Sequence, residues 1–274
     1  MSGLVVNDIG VRFGGLVALE SVSFEVPEAT VTGVIGPNGA GKTTLFNVIS
    51  GFVKPTNGSL MWEGKPFQPR PDRLVRQGVT RTLQGVGLFS HLTALENVMV
   101  GAAITRKAGL TSSLFGLPRS DRDEARLRAE ALEWLERLGV AHVSGRVAAT
   151  LAYPVQKRVA LARALISRPR LLMLDEPAGG LGAEDLGPLA DLIKALPREW
   201  DTPCSVMLVE HHMDLVMKVC DKVVVLDFGK CVAQGTPTEV QADPAVAAAY
   251  LGAAPSATSD IAAEAAALNE EVGQ

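Results

Sequence analysis

Apolar positions along the chain fall into short runs separated by longer stretches of helical spacing. Val31 to Ile35 is apolar and ends in a Gly-rich turn. Leu171 to Leu174 is a four-residue apolar run ending in Asp175, and Ser205 to Val209 and Lys222 to Leu226 have the same character. Continuous runs of this kind suit strands covered on both faces, and their alternation with helical stretches predicts an α/β core. Leu4 to Phe24 reads as strand and turn, consistent with an antiparallel edge sheet. The middle of the chain differs. Leu127, Ala131, Leu135 and Leu138 recur at three- and four-residue spacing, which predicts a helix from Ser120, as N-cap, to Gly139, as stop. Between Thr93 and Ala149 no strand signal competes, so a helical insertion is expected over roughly residues 93–165. The last segment, 253–274, is Ala-rich; Ile261 to Leu268 has a helical pattern too short to stand alone in water, and disorder is the expected alternative. The expected organisation is one domain over residues 4–252 with this tail outside it.

Composition narrows the function classes. The 274 residues carry 26 Lys and Arg against 30 Asp and Glu, a net charge of −4, which argues against a broad basic face for nucleic acid. Apolar residues make up 47%, enough for a full core and too many for a wholly disordered chain. The apolar runs are much shorter than the roughly 20 residues of a membrane span, and Met1 to Gly10 has no secretory-signal pattern. Cys204, Cys220 and Cys231 are odd in number and lack metal-ligand spacing, which points to a reducing cytosol. The chain is thus more apolar than a core without a membrane span requires.

The strongest local signal is Gly36-Pro37-Asn38-Gly39-Ala40-Gly41-Lys42-Thr43, which satisfies G-x-x-x-x-G-K-[ST] between a predicted strand and an apolar helical stretch, Thr44 to Ser50. Glycines are required because backbone N–H groups must close around phosphate oxygens without Cβ obstruction. Lys42 is expected to reach the β- and γ-phosphates, and Thr43 to place its hydroxyl on Mg²⁺. Nucleotide contact is expected from Gly36, Pro37, Asn38, Gly39, Ala40, Gly41, Lys42, Thr43 and Thr44. Asp175, at the end of a buried strand, is the candidate for holding Mg²⁺. Glu176, one residue further, is the candidate general base for an attacking water. No Asn-Lys-x-Asp element for guanine is present.

With these motifs in order, the chain resembles the ATP-binding subunit of an ABC transporter from Leu4 to about Gly252. The resemblance implies a phosphate-loop nucleotidase core with an antiparallel β edge subdomain and an inserted α-helical subdomain, working with ATP and Mg²⁺. Phe13 matches the aromatic that stacks on adenine in this family by offset π contact. Gln84 matches the glutamine that contacts Mg²⁺ and water and joins the core to the helical subdomain. His211 matches the switch histidine that bonds the γ-phosphate. Catalytic roles are thus expected for Glu176, His211 and Gln84, and metal contacts for Thr43, Gln84 and Asp175.

One element departs from the family pattern. Leu151 to Leu165 aligns with the signature Leu-Ser-Gly-Gly-Gln and the helix after it, but Ala152, Tyr153, Pro154 and Val155 replace the serine, both glycines and the glutamine. In this family two subunits sandwich two ATP molecules head to tail, each site using one phosphate loop and the other subunit's signature. Ala152 has no hydroxyl to donate and Pro154 no N–H. Gly182 also stands where many members carry an aspartate that reaches across the dimer. Elements for this chain's own nucleotide are intact, while those offered to a partner's nucleotide are degraded. The expectation is a heterodimer with a second ATPase subunit that has an intact signature. Arg12-Phe13-Gly14-Gly15, Leu151-Ala152-Tyr153, Asp175-Glu176-Pro177-Ala178 and the ending through Tyr250-Leu251-Gly252 are together similar to the branched-chain amino acid type of importer. That type implies transmembrane permease subunits, an external solute-binding protein acting indirectly, and a peripheral place on the cytoplasmic face of the membrane. The solute stays open among branched-chain amino acids, urea, amides and other small polar molecules. A catalytically silent ATP-binding subunit and a non-transport ABC ATPase remain as alternatives.

Overall fold

The computed structural model describes residues 2–82, 85–103, 118–197 and 204–251. Two sheets organise them. Strands β1 (Ser2–Phe13), β2 (Leu16–Pro27), β4 (Asn57–Trp62) and β5 (Lys65–Phe67) form an antiparallel sheet in the order β2-β1-β4-β5. Strands β3 (Val31–Ile35), β6 (Val79–Arg81), β7 (Leu171–Asp175), β8 (Ser205–Val209), β9 (Lys222–Asp227) and β10 (Lys230–Gly235) form the second, in the order β10-β9-β3-β8-β7-β6. Its neighbours pair in parallel except for β9 with β10.

The continuous apolar runs have a direct explanation in this sheet. Along β7, Leu172 and Leu174 point into one core and Leu171 and Met173 into another, as the two-residue period of a strand requires. The first core packs the sheet against helices α2 (Ala94–Ala103), α3 (Pro118–Arg137), α4 (Tyr153–Leu165), α5 (Ala183–Ala195) and α6 (Met213–Val219). The second packs it against α1 (Lys42–Ile49) and the antiparallel sheet. A strand with both faces covered cannot show polar alternation, so β3, β7 and β8 are buried at all five positions. Helices α7 (Pro237–Ala242) and α8 (Pro244–Leu251) close the described chain, α7 under a capping box between Thr236 and Glu239.

Two boundaries differ from those expected from the sequence. Helix α3 begins at Pro118, two residues before the expected cap at Ser120, so Ser120 lies inside the first turn. Proline is tolerated there because a first-turn N–H has no intrahelical partner. The stop does fall at Gly139, which takes φ +70° and donates its N–H to the Glu136 carbonyl at 2.9 Å. Strand β7 ends on Asp175, as expected, whereas α4 starts within the altered signature, at Tyr153. The tail from residue 253 lies outside the described residues. Among those described, no helix is long and apolar enough to cross a membrane.

Candidate nucleotide site

Ligands of open parallel sheets sit beyond the carboxyl ends of the strands. Here three adjacent strands, β3, β8 and β7, end side by side. The residues that follow them are Gly36, Glu210 and Glu176 in that order across the sheet.

The turn after β3 needs glycine for reasons visible in its packing. Gly36 takes φ +146°, and a Cβ there would stand 2.1 Å from the Leu226 carbonyl oxygen. Gly41 takes φ +99°, and its Cβ would meet the Ala18 oxygen at 2.8 Å. Gly41 caps α1 without any side-chain hydrogen bond, so no cap competes with an anion for the first-turn N–H groups. Lys42 Nζ donates to the carbonyls of Gly36 at 2.7 Å and Pro37 at 2.8 Å, which curls it over the loop. Burial lowers the Lys42 pKa, and the nearby charge of Glu176 opposes that shift. Thr43 is exposed and Thr44 half-buried on the first turn of α1. Phe13 ends β1, pairs with Leu16 across the hairpin and is half exposed. The continuation of that hairpin at Ala18 is the segment that abuts Gly41.

The acidic end is held more tightly than its sequence suggests. The Asp175 carboxylate is 5% exposed, and its Oδ2 pairs with Arg81 Nη2 at 2.7 Å. Arg81 also donates to Asn47 Oδ1 at 2.8 Å and Ser50 Oγ at 3.0 Å, linking β6 and β7 to α1. Glu176 adopts φ +47°, a left-handed conformation that costs an L-residue about 1–2 kcal/mol. It is fixed by its N–H to the Val209 carbonyl at 3.0 Å and by the Gly179 N–H to its own carbonyl at 3.1 Å. Glu210 is completely buried. It accepts from the N–H groups of Ala178 at 2.7 Å, His211 at 3.0 Å and His212 at 3.2 Å, and lies 3.0 Å from His212 Nδ1. Glu210 therefore fixes the segment after β8 to the segment after β7. His211 stays exposed at the mouth, its ring 4.3 Å from that of His212.

Lys42, Thr43, Asp175, Glu176 and His211 thus lie on the phosphate loop after β3 and at the mouths of β8, its neighbour, and β7, the strand beyond. Gln84 lies outside the described residues. On the signature side, Ala152 caps α4 without a side-chain hydrogen bond, and Tyr153 and Pro154 occupy its first turn. Three positions that the sequence reading passed over carry the framework: Arg81, Glu210 and Lys157. Each was visible as a charge beside a buried strand or in a helix facing one, but its partner lay far away in sequence.

Comparison with known proteins identifies the family. Residues 19–179 match the family described as ABC transporter, and residues 230–255 match the family described as branched-chain amino acid ATP-binding cassette transporter. The chain is 41% identical over 252 residues to the high-affinity branched-chain amino acid transport ATP-binding protein LivG of Salmonella typhimurium, spanning 92% of this chain and 98% of that one. It is 42% identical, with the same coverage, to the corresponding protein BraF of Pseudomonas aeruginosa. A crystal structure of an ATP-binding cassette of an ABC transporter in its ADP conformation superposes with TM-score 0.78 at 31% identity, over 92% of this chain and 99% of that one. A nucleotide-free ATP-binding cassette superposes with TM-score 0.77 at 31% identity. The chain belongs to the ABC transporter family, among its ATP-binding proteins of the branched-chain amino acid type.

Proposed function

We propose that this chain binds and hydrolyses ATP with Mg²⁺ to drive an importer of amino acids or similar small polar solutes, as one half of an ATPase heterodimer on the cytoplasmic face of the membrane. One observation carries the reading: a phosphate loop, a buried strand-end aspartate, a glutamate beyond it and an exposed histidine lie at the ends of three adjacent strands. The names of the LivG and BraF relatives support branched-chain amino acids as the solute class. In this reading residues 4–252 form the ATP-binding domain, residues 93–165 its helical subdomain, and residues 253–274 a tail outside it.

The oxygen donors fit magnesium. A threonine hydroxyl and an aspartate carboxylate are the hard ligands it prefers, with water completing the shell. Thr43 and the Asp175 oxygen not paired with Arg81 would hold it, with Gln84 as the further candidate, and the ion would supply charge neutralisation on the β- and γ-phosphate oxygens. The loop amides and Lys42 bind the phosphates, and Phe13 stacks on adenine. Glu176 orients and polarises the attacking water, while Lys42 and His211 stabilise charge on the γ-phosphoryl. The catalysis is positioning plus electrostatics. Closure of the dimer on ATP moves the helical subdomain against the permease subunits.

Pairing follows from the altered signature. A homodimer would contain two sites lacking the signature hydroxyl and the Pro154 N–H. The second subunit therefore supplies the intact signature to this chain's nucleotide. ATPase activity of the purified chain, alone and mixed with a co-encoded second ATPase, tests this. Turnover only in the mixture supports the heterodimer, and cooperative turnover by the isolated chain refutes it.

A further inference from the structure

The residues that break the family signature are not idle in this chain. Tyr153 replaces a glycine, and its ring lies against Gly180, where a Cβ would stand 2.8 Å from Tyr153 Cε1. One helical turn further along α4, Lys157 turns its ammonium beneath that ring, 5.4 Å from the centroid. Lys157 Nζ donates to the carbonyls of Glu176 at 3.1 Å and Pro177 at 2.8 Å. A Cβ on Gly179 would lie 3.8 Å from the same nitrogen. The start of the signature helix is thus folded onto its own chain's hydrolytic turn.

The turn needs such a hold. Glu176 sits in a left-handed conformation that few L-residues adopt, immediately before Pro177, whose ring lacks an N–H. The carbonyls of Glu176 and Pro177 therefore follow a strained position, and both accept from one ammonium. Lys157 is half-buried, faces the carboxylates of Glu176 and Glu210, and is depressed in pKa by its burial. A lysine in this place fixes the backbone on which the Glu176 side chain is mounted.

We propose that Lys157 is a positioning residue for Glu176, clamping the Glu176–Pro177 backbone from the signature helix with Tyr153 as its cover. The signature helix then acts in cis, on this chain's own site, although its first residues no longer serve a partner's nucleotide. This deepens the reading of Glu176 as the base and rests on it.

The test uses the transporter complex purified through a tag on this chain, with ATP turnover and ATP affinity measured separately. Lys157→Met keeps length and removes the donor. It is expected to lower kcat about tenfold, leaving KM and ATP affinity within about twofold. Lys157→Arg, which retains donors, is expected to restore most of the loss. In a Glu176→Gln background, Lys157→Met is expected to cause no further loss. Tyr153→Ala, which leaves the ammonium in place, is expected to give a smaller fall of the same kind, and it serves if Lys157→Met does not assemble. Unchanged kcat in Lys157→Met, or an equal fractional loss with and without Glu176→Gln, overturns the proposal. Normal turnover in Glu176→Gln alone would instead overturn the base assignment, so the two failures are distinct.

Discussion

The phosphate loop and the start of the signature helix are both turns leading into a helix, yet they are built on opposite terms. At the first, Gly41 leads into α1 with no side-chain cap, and Gly36 and Gly41 occupy positions where any Cβ would collide with a carbonyl. At the second, Ala152 leads into α4 with no hydroxyl, and Tyr153 and Pro154 fill the first turn with bulk and a missing N–H. One helix end is kept open for an anion and the other is not. The loop after β3 is thus kept free of side-chain bulk by its glycines, while the start of α4 is filled by Tyr153 and Pro154. Lys157 ties α4 to the turn after β7 through the Glu176 and Pro177 carbonyls.

The largest effect that would break this contrast lies in the framework of the intact site. Arg81→Met leaves Asp175 buried without its partner, and removing one side of a buried pair costs about 3–5 kcal/mol. The thermal midpoint of the chain is expected to fall by roughly 10 °C or more, and an unchanged melting curve would mean that Asp175 is held by something else. Next is Lys42→Ala. It removes a charge-assisted donor from the phosphates and is expected to weaken ATP binding about 100-fold, as titration with a fluorescent ATP analogue would report. A change of less than twofold would detach Lys42 from the nucleotide. Glu210→Gln is expected to cost about 1–3 kcal/mol, because an amide cannot accept from all the donors now converging on the buried carboxylate. Both the denaturation midpoint and turnover should fall. A fall in stability with normal turnover would reduce Glu210 to a packing role. The smallest effect is expected on the other surface. Pro154→Gly combined with Ala152→Ser restores an N–H and a hydroxyl, and should raise turnover of the complex by a few-fold through the partner's site. No gain would show that the turn's bulk, rather than its missing donors, is what disables it.

How much could be read in advance follows from where the partners lie. The phosphate loop was legible because all its residues are contiguous and only one backbone path satisfies them. Strands β3, β7 and β8 were legible because burial on both faces leaves an uninterrupted apolar run. Strands β4 and β5 were not, since six and three residues with mostly exposed positions carry little pattern. The start of α3 lies two residues before the serine that cap preferences favour, because a proline is equally at home in a first turn. The framework charges were hidden for a different reason. Arg81 and Asp175 are 94 residues apart, Glu210 and Ala178 are 32 apart, and Lys157 and Glu176 are 19 apart. Each is an unremarkable charge until the sheet order brings its partner beside it. The altered signature was plain from sequence as a loss. Its contact with Gly180 and the Glu176 backbone became visible only once α4 was seen packed against the turn after β7.

Hydrolysis at this chain's own site, despite the altered signature, is the proposal from which the other roles follow. It is tested most directly by single-turnover ATP hydrolysis in the assembled complex carrying Glu176→Gln in this subunit alone. ATP is expected still to bind and hydrolysis to slow about 100-fold or more; hydrolysis at the unmodified rate would assign the chemistry to the other subunit.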